Sequence, residues 1–197
     1  MPAQQDRRAA ILHSSAELFA RQGVASTTVR QIADEVGVLS GSLYHHFPSK
    51  DAIVNEIVTT YLEHLLGRYR EVRAAELSPR DRLEQLITAS LLAAEAEPSA
   101  TIIYQNELSY IREMPQYEAV KAAAAEVQQT WLSVIEEGRA DGSFRTDIDP
   151  RVFYRFVRDA VWLSVRWYRA EGPYTIEQLA TDCASIFLDG YAAFDAD

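Results

Sequence analysis

Residues Val36 to Ile53 read VGVLSGSLYHHFPSKDAI and gather small residues, hydroxyls, a tyrosine, two histidines and a lysine into one turn-rich stretch. Their chemistry is hydrogen-bond donation rather than bond making. Tyr44, His45, His46 and Lys50 can donate to phosphate oxygens, and Ser40, Gly41 and Ser42 are too small to keep a helix N-terminus away from base edges. The two histidines diverge by about 100° on a helix and have no carboxylate or cysteine at i+4, so no metal is expected there.

A second group lies in RVFYRFVRDAVWLSVRWYRA, where Arg158, Trp162 and Arg166 stand at i, i+4 and i+8 among Val, Phe, Trp and Tyr. That spacing predicts one shared helix face. Two readings stay open for it. In one, arginine holds an anionic group and tryptophan stacks on a flat or ring-shaped one. In the other, the face is a dimer interface where tryptophan anchors and arginine pairs with acids such as Asp159. Enzyme chemistry has little support: LSGSL lacks GxSxG, there is no P-loop or GxGxxG, and neither Glu107 nor Glu113 has a partner at acid/base spacing. No cofactor or metal is expected.

Helices must position both groups. Nearly every segment repeats apolar residues at helical spacing and strict alternation is missing, which predicts an all-α chain of about nine helices. The first runs from Arg7 to Gln22 and stops at Gly23; Ser26-Thr27-Thr28 caps a second that halts at Gly37; a third spans Ser40 to His46. Pro48 breaks the third, and SKDAIVNEIVTTYLEHLLGRYREVRAAEL forms a long fourth. Ser78-Pro79 opens a helix to Glu95, and Pro98 sets off SATIIYQNELSYIREM. Pro115 opens a helix to Ala140, ADGSFRTDIDP is a hinge into the arginine-rich helix, and the last helix runs from Ile176 to Phe194. The expected division is a head at 1–52 and a body at 53–197.

Charge points to the same head. The net charge is −10, yet residues 1–50 hold five basic and four acidic side chains, so the remainder carries −11. An acidic body repels a polyanion from every face but the intended one. With 197 residues, 48% of them hydrophobic, the chain can bury a real core. No apolar run reaches about eighteen residues, and the N-terminus lacks the apolar centre of a signal peptide, so the cytoplasm is the expected location. Cys183 is the single cysteine and reads as a small buried apolar residue on the last helix.

A short helix, a tight turn at Gly37 and a second short helix form the helix-turn-helix pattern, whose second helix enters the DNA major groove. TTVRQIADEVGVLSGSLYHHFPSKDAIV, Thr27 to Val54, closely resembles the DNA-binding head of the TetR family of bacterial repressors, in its Ile-Ala before the turn, its Gly-Val, Leu-Tyr and His-Phe, and the Ser-Lys that opens the long helix. The resemblance implies a homodimer, an effector pocket in the body and ligand-driven release from a palindromic operator. It implies that Thr28 and Arg30 lie on the second helix, with Arg30 able to reach a base edge. Leu39, Ser40, Gly41 and Ser42 then open the recognition helix, and Tyr44, His46 and Lys50, with His45 beside them, hold the DNA backbone. The recognition helix has no Asn, Gln or Arg, so bidentate base reading falls mainly to Arg30.

LSGSLYHHF, IYQNE and YRFVRDAVWLSVRWYRAEGP together resemble a branch of that family, the actinobacterial repressors of cholesterol C and D ring catabolism that respond to a CoA thioester of a two-ring steroid fragment. This implies Arg158 and Trp162 as effector contacts, with Tyr104, Gln105 and Arg166 beside them. The alternative within the family is a regulator of another acyl-CoA or hydrophobic-ligand pathway; outside it, an acyl-CoA-handling enzyme. The dimer seam is expected along the last two helices, with Val161, Val165, Ile186 and Leu188 among its residues.

Overall fold

The computed structural model describes residues 2–190, with side chains from residue 7 onward. Among the described residues there are ten α-helices and no strand: α1 (Pro2–Gln22), α2 (Val29–Val36), α3 (Ser40–Tyr44), α4 (Lys50–Ala74), α5 (Pro79–Ala96), α6 (Pro98–Asn106), α7 (Leu108–Glu113), α8 (Tyr117–Ala140), α9 (Pro150–Trp162) and α10 (Ile176–Asp189), with a 3-10 turn at Leu163–Arg166. The expected continuation of the last helix to Phe194 lies outside the described residues beyond 190.

Capping chemistry sets most boundaries. Thr28 and Gln31 form a reciprocal capping box on α2, and Gly37 ends that helix in the left-handed conformation at φ 73°, which favours glycine. Ser78 and Asp149 cap α5 and α9 with proline just inside, and Thr175 with Gln178 forms a second box on α10. Two helices expected to be continuous are broken. SATIIYQNELSYIREM divides into α6 and α7 at Glu107, whose backbone leaves the helical region at φ −106°, ψ 20°. The arginine-rich helix ends at Trp162, because the Ser164 hydroxyl donates to the Val161 carbonyl at 2.5 Å and competes with the helical ladder.

The chain forms two compact units. The first is Met1–Leu62 with Ser99–Ala122, so α1–α3 and the start of α4 are joined by α6, α7 and the start of α8. Ile11, Phe19, Ile32, Leu43, Phe47 and Ile53 are among its fully buried side chains, and Tyr61 of α4 meets Tyr104 of α6 with ring centroids 6.1 Å apart. The second unit is Glu63–Pro98 with Ala123–Asp197; α10 and α9 both pack on α5. At its centre Trp131 Nε1 donates to the Tyr69 hydroxyl at 2.9 Å, which meets Ser90 Oγ at 2.6 Å, so these three buried polar groups satisfy one another. The boundary expected between residues 52 and 53 falls within α4, and the packing division keeps both residues in the first unit.

Candidate functional site

The head presents its expected reading residues to solvent while holding their neighbours inside. On α3 and its flanks Leu43 and Phe47 are fully buried, whereas Leu39 is 83% and Tyr44 53% exposed. Gly41, Ser42 and His45 are exposed, and Ser40 and His46 half-buried. A large aliphatic side chain and a tyrosine left open beside a glycine make a surface that can approach a groove closely. On α2 the Thr28 side chain is occupied in its capping box, and Arg30 is exposed with only a long 3.9 Å approach to Asp34. An exposed pair of that length contributes close to nothing, so Arg30 is available to a base.

Lys50, implied as a phosphate contact, reaches the loop that joins α1 to α2. Its ammonium is half-buried and donates to the Val24 carbonyl at 2.6 Å and the Thr27 carbonyl at 2.9 Å. Arg8, another basic residue of the head, pairs with Glu56 and lies over the Phe47 ring at 4.3 Å. The basic groups of the head thus divide between holding it together and facing outward.

The second group is distributed over both units. Tyr104 and Gln105 lie on α6 in the first, Tyr104 buried against Tyr61 and Gln105 half-buried. Arg158, Trp162 and Arg166 lie in the second unit. The helix end at Trp162 corrects the expectation of one continuous face: Arg158 and Trp162 share α9, but Arg166 sits on the 3-10 turn, where the 100° step no longer holds. Trp162 is buried, Arg166 exposed, and Arg158 is half-buried with two hydrogen bonds to Asp159 at 2.6 and 2.9 Å. An incoming anion at Arg158 therefore competes with, or shares, that carboxylate.

A cavity of about 240 Å³ adjoins the same 3-10 turn. Leu91 and Ala94 of α5, Val165 and Ile176 give it apolar walls, and Glu95, Tyr168 and Arg169 give it a polar rim. The Tyr168 hydroxyl donates to Glu95 at 2.8 Å, and desolvation together with that carboxylate pushes its pKa up to about 12, so it stays a donor. Arg158, Trp162 and Arg166 do not line this cavity, although Ser164 and Val165 between them do. The sequence held no signal for Tyr168 and Arg169 beyond their place in the aromatic-arginine run.

The residues expected along the dimer seam differ in exposure. Val161 and Leu188 are buried within the second unit, and Val165 is half-buried. Ile186 is 72% exposed, and Phe156 and Val152 of α9 are exposed at i and i−4 to one another. Among the described residues no single helix is long and apolar enough to cross a membrane, and no cluster of three metal-ligating side chains occurs.

Comparison with known proteins gives matches along nearly the whole chain. Residues 11–57 match "Bacterial regulatory proteins, tetR family", and residues 76–191 match "Tetracyclin repressor-like, C-terminal domain". The chain is 45% identical over 187 residues to the HTH-type transcriptional repressor KstR2 of Rhodococcus jostii, covering 95% of this chain and 92% of that one. It is 41% identical to KstR2 of Mycolicibacterium smegmatis, covering 97% and 93%. Its fold superposes on the structure of the ketosteroid transcriptional regulator KstR2 of Mycobacterium tuberculosis with a TM-score of 0.90 at 39% identity, covering 95% and 96%.

Proposed function

The chain belongs to the TetR family of bacterial regulatory proteins, and from that premise we propose that it is a transcriptional repressor that binds a palindromic operator as a homodimer and releases it on binding a CoA thioester from steroid-ring degradation. The observation that carries the DNA half is the exposure of Leu39, Tyr44 and Arg30 around a small-residue helix whose Leu43 and Phe47 are locked inside. Arg30 reads a base edge, Tyr44 and the histidines hold phosphates, and Leu39 packs on a thymine methyl. The head works in the cytoplasm, where the operator is.

The effector half rests on similarity to repressors named KstR2, one of them a ketosteroid regulator, over nearly the whole chain. Arg158 takes an anionic part of the thioester, Trp162 packs against it from the end of α9, and Arg166 contributes a further contact. The cavity beside Val165 and Tyr168, with apolar walls and an arginine at its rim, suits part of an apolar ring body. The dimer forms through α9 and α10, using Phe156, Val152 and Ile186, because these are the large apolar side chains those helices leave exposed.

A gel shift with DNA from the protein's own upstream region, with and without the CoA thioester of a two-ring steroid fragment, tests both halves. Binding to an inverted repeat, reversed by that thioester but not by free CoA, is the expected result. Binding that the thioester leaves untouched, while another acyl-CoA releases it, points to a different pathway. Turnover of the thioester without DNA binding refutes the repressor.

A further inference from the structure

We infer that Glu107 and Tyr110, on the α6–α7 stretch, are positioning residues for sequence-specific DNA reading and act through Lys50 and the loop joining α1 to α2; this rests on the operator-binding function proposed above. The loop from Gly23 to Thr28 ends in the Thr28 cap of α2, two residues before Arg30, so its geometry sets where Arg30 points. Two side chains from elsewhere in the first unit hold it. Lys50 donates to its carbonyls at Val24 and Thr27, and Glu107 Oε1 accepts from the Val24 N–H at 3.4 Å. Within the loop Thr27 Oγ1 donates to the Gly23 carbonyl at 2.7 Å.

Tyr110 holds the lysine in turn. Its ring centroid is 5.5 Å from Lys50 Nζ, and its hydroxyl donates to Asp51, the next residue of α4. Burial and that carboxylate raise the hydroxyl's pKa, which keeps it a donor. An ammonium has three N–H groups, and two of these are committed to backbone carbonyls at short distance. Lys50 is thus a fixed strut between α4 and the loop, and the residues that orient it belong to the segment that follows Tyr104 and Gln105 in the chain.

A strut and a phosphate contact leave different signatures. A phosphate contact adds affinity on every sequence and adds about one to the slope of log affinity against log salt. A positioning residue adds affinity only where bases are read. The test uses the full-length protein and the duplex it enriches from a random-sequence pool, so it needs no effector. Affinities for that duplex and a scrambled one are measured across a salt series. Tyr110→Phe, which removes a single oxygen, and Lys50→Met should each lower the enriched-over-scrambled ratio about three- to tenfold. Affinity for the scrambled duplex and the salt slope should stay at wild-type values.

Glu107→Leu should lower the ratio similarly, and Glu107→Gln, which keeps an acceptor oxygen, should restore it. Because Tyr110→Phe keeps the ring, the conclusion does not depend on Lys50→Met folding. Parallel loss on both duplexes, with a slope smaller by about one in Lys50→Met, makes Lys50 a phosphate contact and overturns the inference. Unchanged ratios in Tyr110→Phe and Glu107→Leu overturn it too. A wild-type protein that enriches no sequence overturns the operator-binding function itself, an outcome distinct from either.

Discussion

Phe156 and Ile186 stand on α9 and α10 with 67% and 72% of their surfaces open, and an aqueous monomer gains nothing by exposing them. Fully burying such a side chain is worth about 1.5–3 kcal/mol, so the exposed share of each is worth roughly 1–2 kcal/mol. A two-fold interface uses each residue twice. Phe156→Ser should therefore cost the dimer about 2–4 kcal/mol, a rise of roughly thirty- to several-hundredfold in its dissociation constant. The subunit should stay folded, because Phe153 rather than Phe156 makes the edge-to-face contact with Phe187 that joins α9 to α10. Sedimentation over a dilution series reads the dissociation constant directly, and Val161→Ala, a change in the buried core, serves as a control that lowers stability without moving it. Unchanged dimerisation in both Phe156→Ser and Ile186→Ser would show that the exposed face is not the interface.

Arg30→Ala should cost about 1–3 kcal/mol on the enriched operator and little on scrambled DNA, whereas Tyr44→Phe should weaken both; titration by fluorescence anisotropy separates them. Arg158→Met should leave operator binding near wild type and shift release by the steroid-fragment thioester roughly ten- to hundredfold to the right, a loss of about 1.5–3 kcal/mol for a charged contact; an unshifted dose response removes Arg158 from the site. Tyr69→Phe strips Trp131 Nε1 of the hydroxyl it donates to, and should destabilise the fold by about 1–3 kcal/mol in urea unfolding, with an equal midpoint to wild type counting against the network. Burial pushes the Cys183 thiol up to about 11, so the folded state holds it neutral while the unfolded thiol ionises near 8.5; stability relative to Cys183→Ala should fall as pH rises between those values, as thermal melts would record.

The head was legible because its signals are local. A capping threonine and a Gly37 that needs positive φ each act within a few residues, and the structure places those elements where the sequence predicts them. The breaks at Glu107 and Ser164 were not legible, since neither segment carries a glycine or proline there. One helix breaks where a carboxylate reaches back to Val24, the other where a hydroxyl takes a carbonyl, and both are decided by partners rather than by propensity. Lys50 shows the same limit: its type suggests a phosphate donor, but its partners are carbonyls more than twenty residues earlier in the chain. Periodicity marks Val161, Ile186 and Leu188 alike as apolar. Only packing on α5 decides which of them the subunit consumes.

The make-up of the first unit has a consequence for the order in which the chain is built. Residues 1–62 leave the ribosome with their helices specified, but the segment that completes their packing, residues 99–122, comes only after a stretch that belongs to the other unit. At about 5–20 residues per second the gap lasts several seconds, far longer than helix formation or the closing of a loop. Through that interval Tyr61 lacks Tyr104, and the α1–α2 loop lacks Glu107. The nascent head waits with part of its apolar surface open, and it becomes a finished reader of DNA only once the middle of the chain has been made.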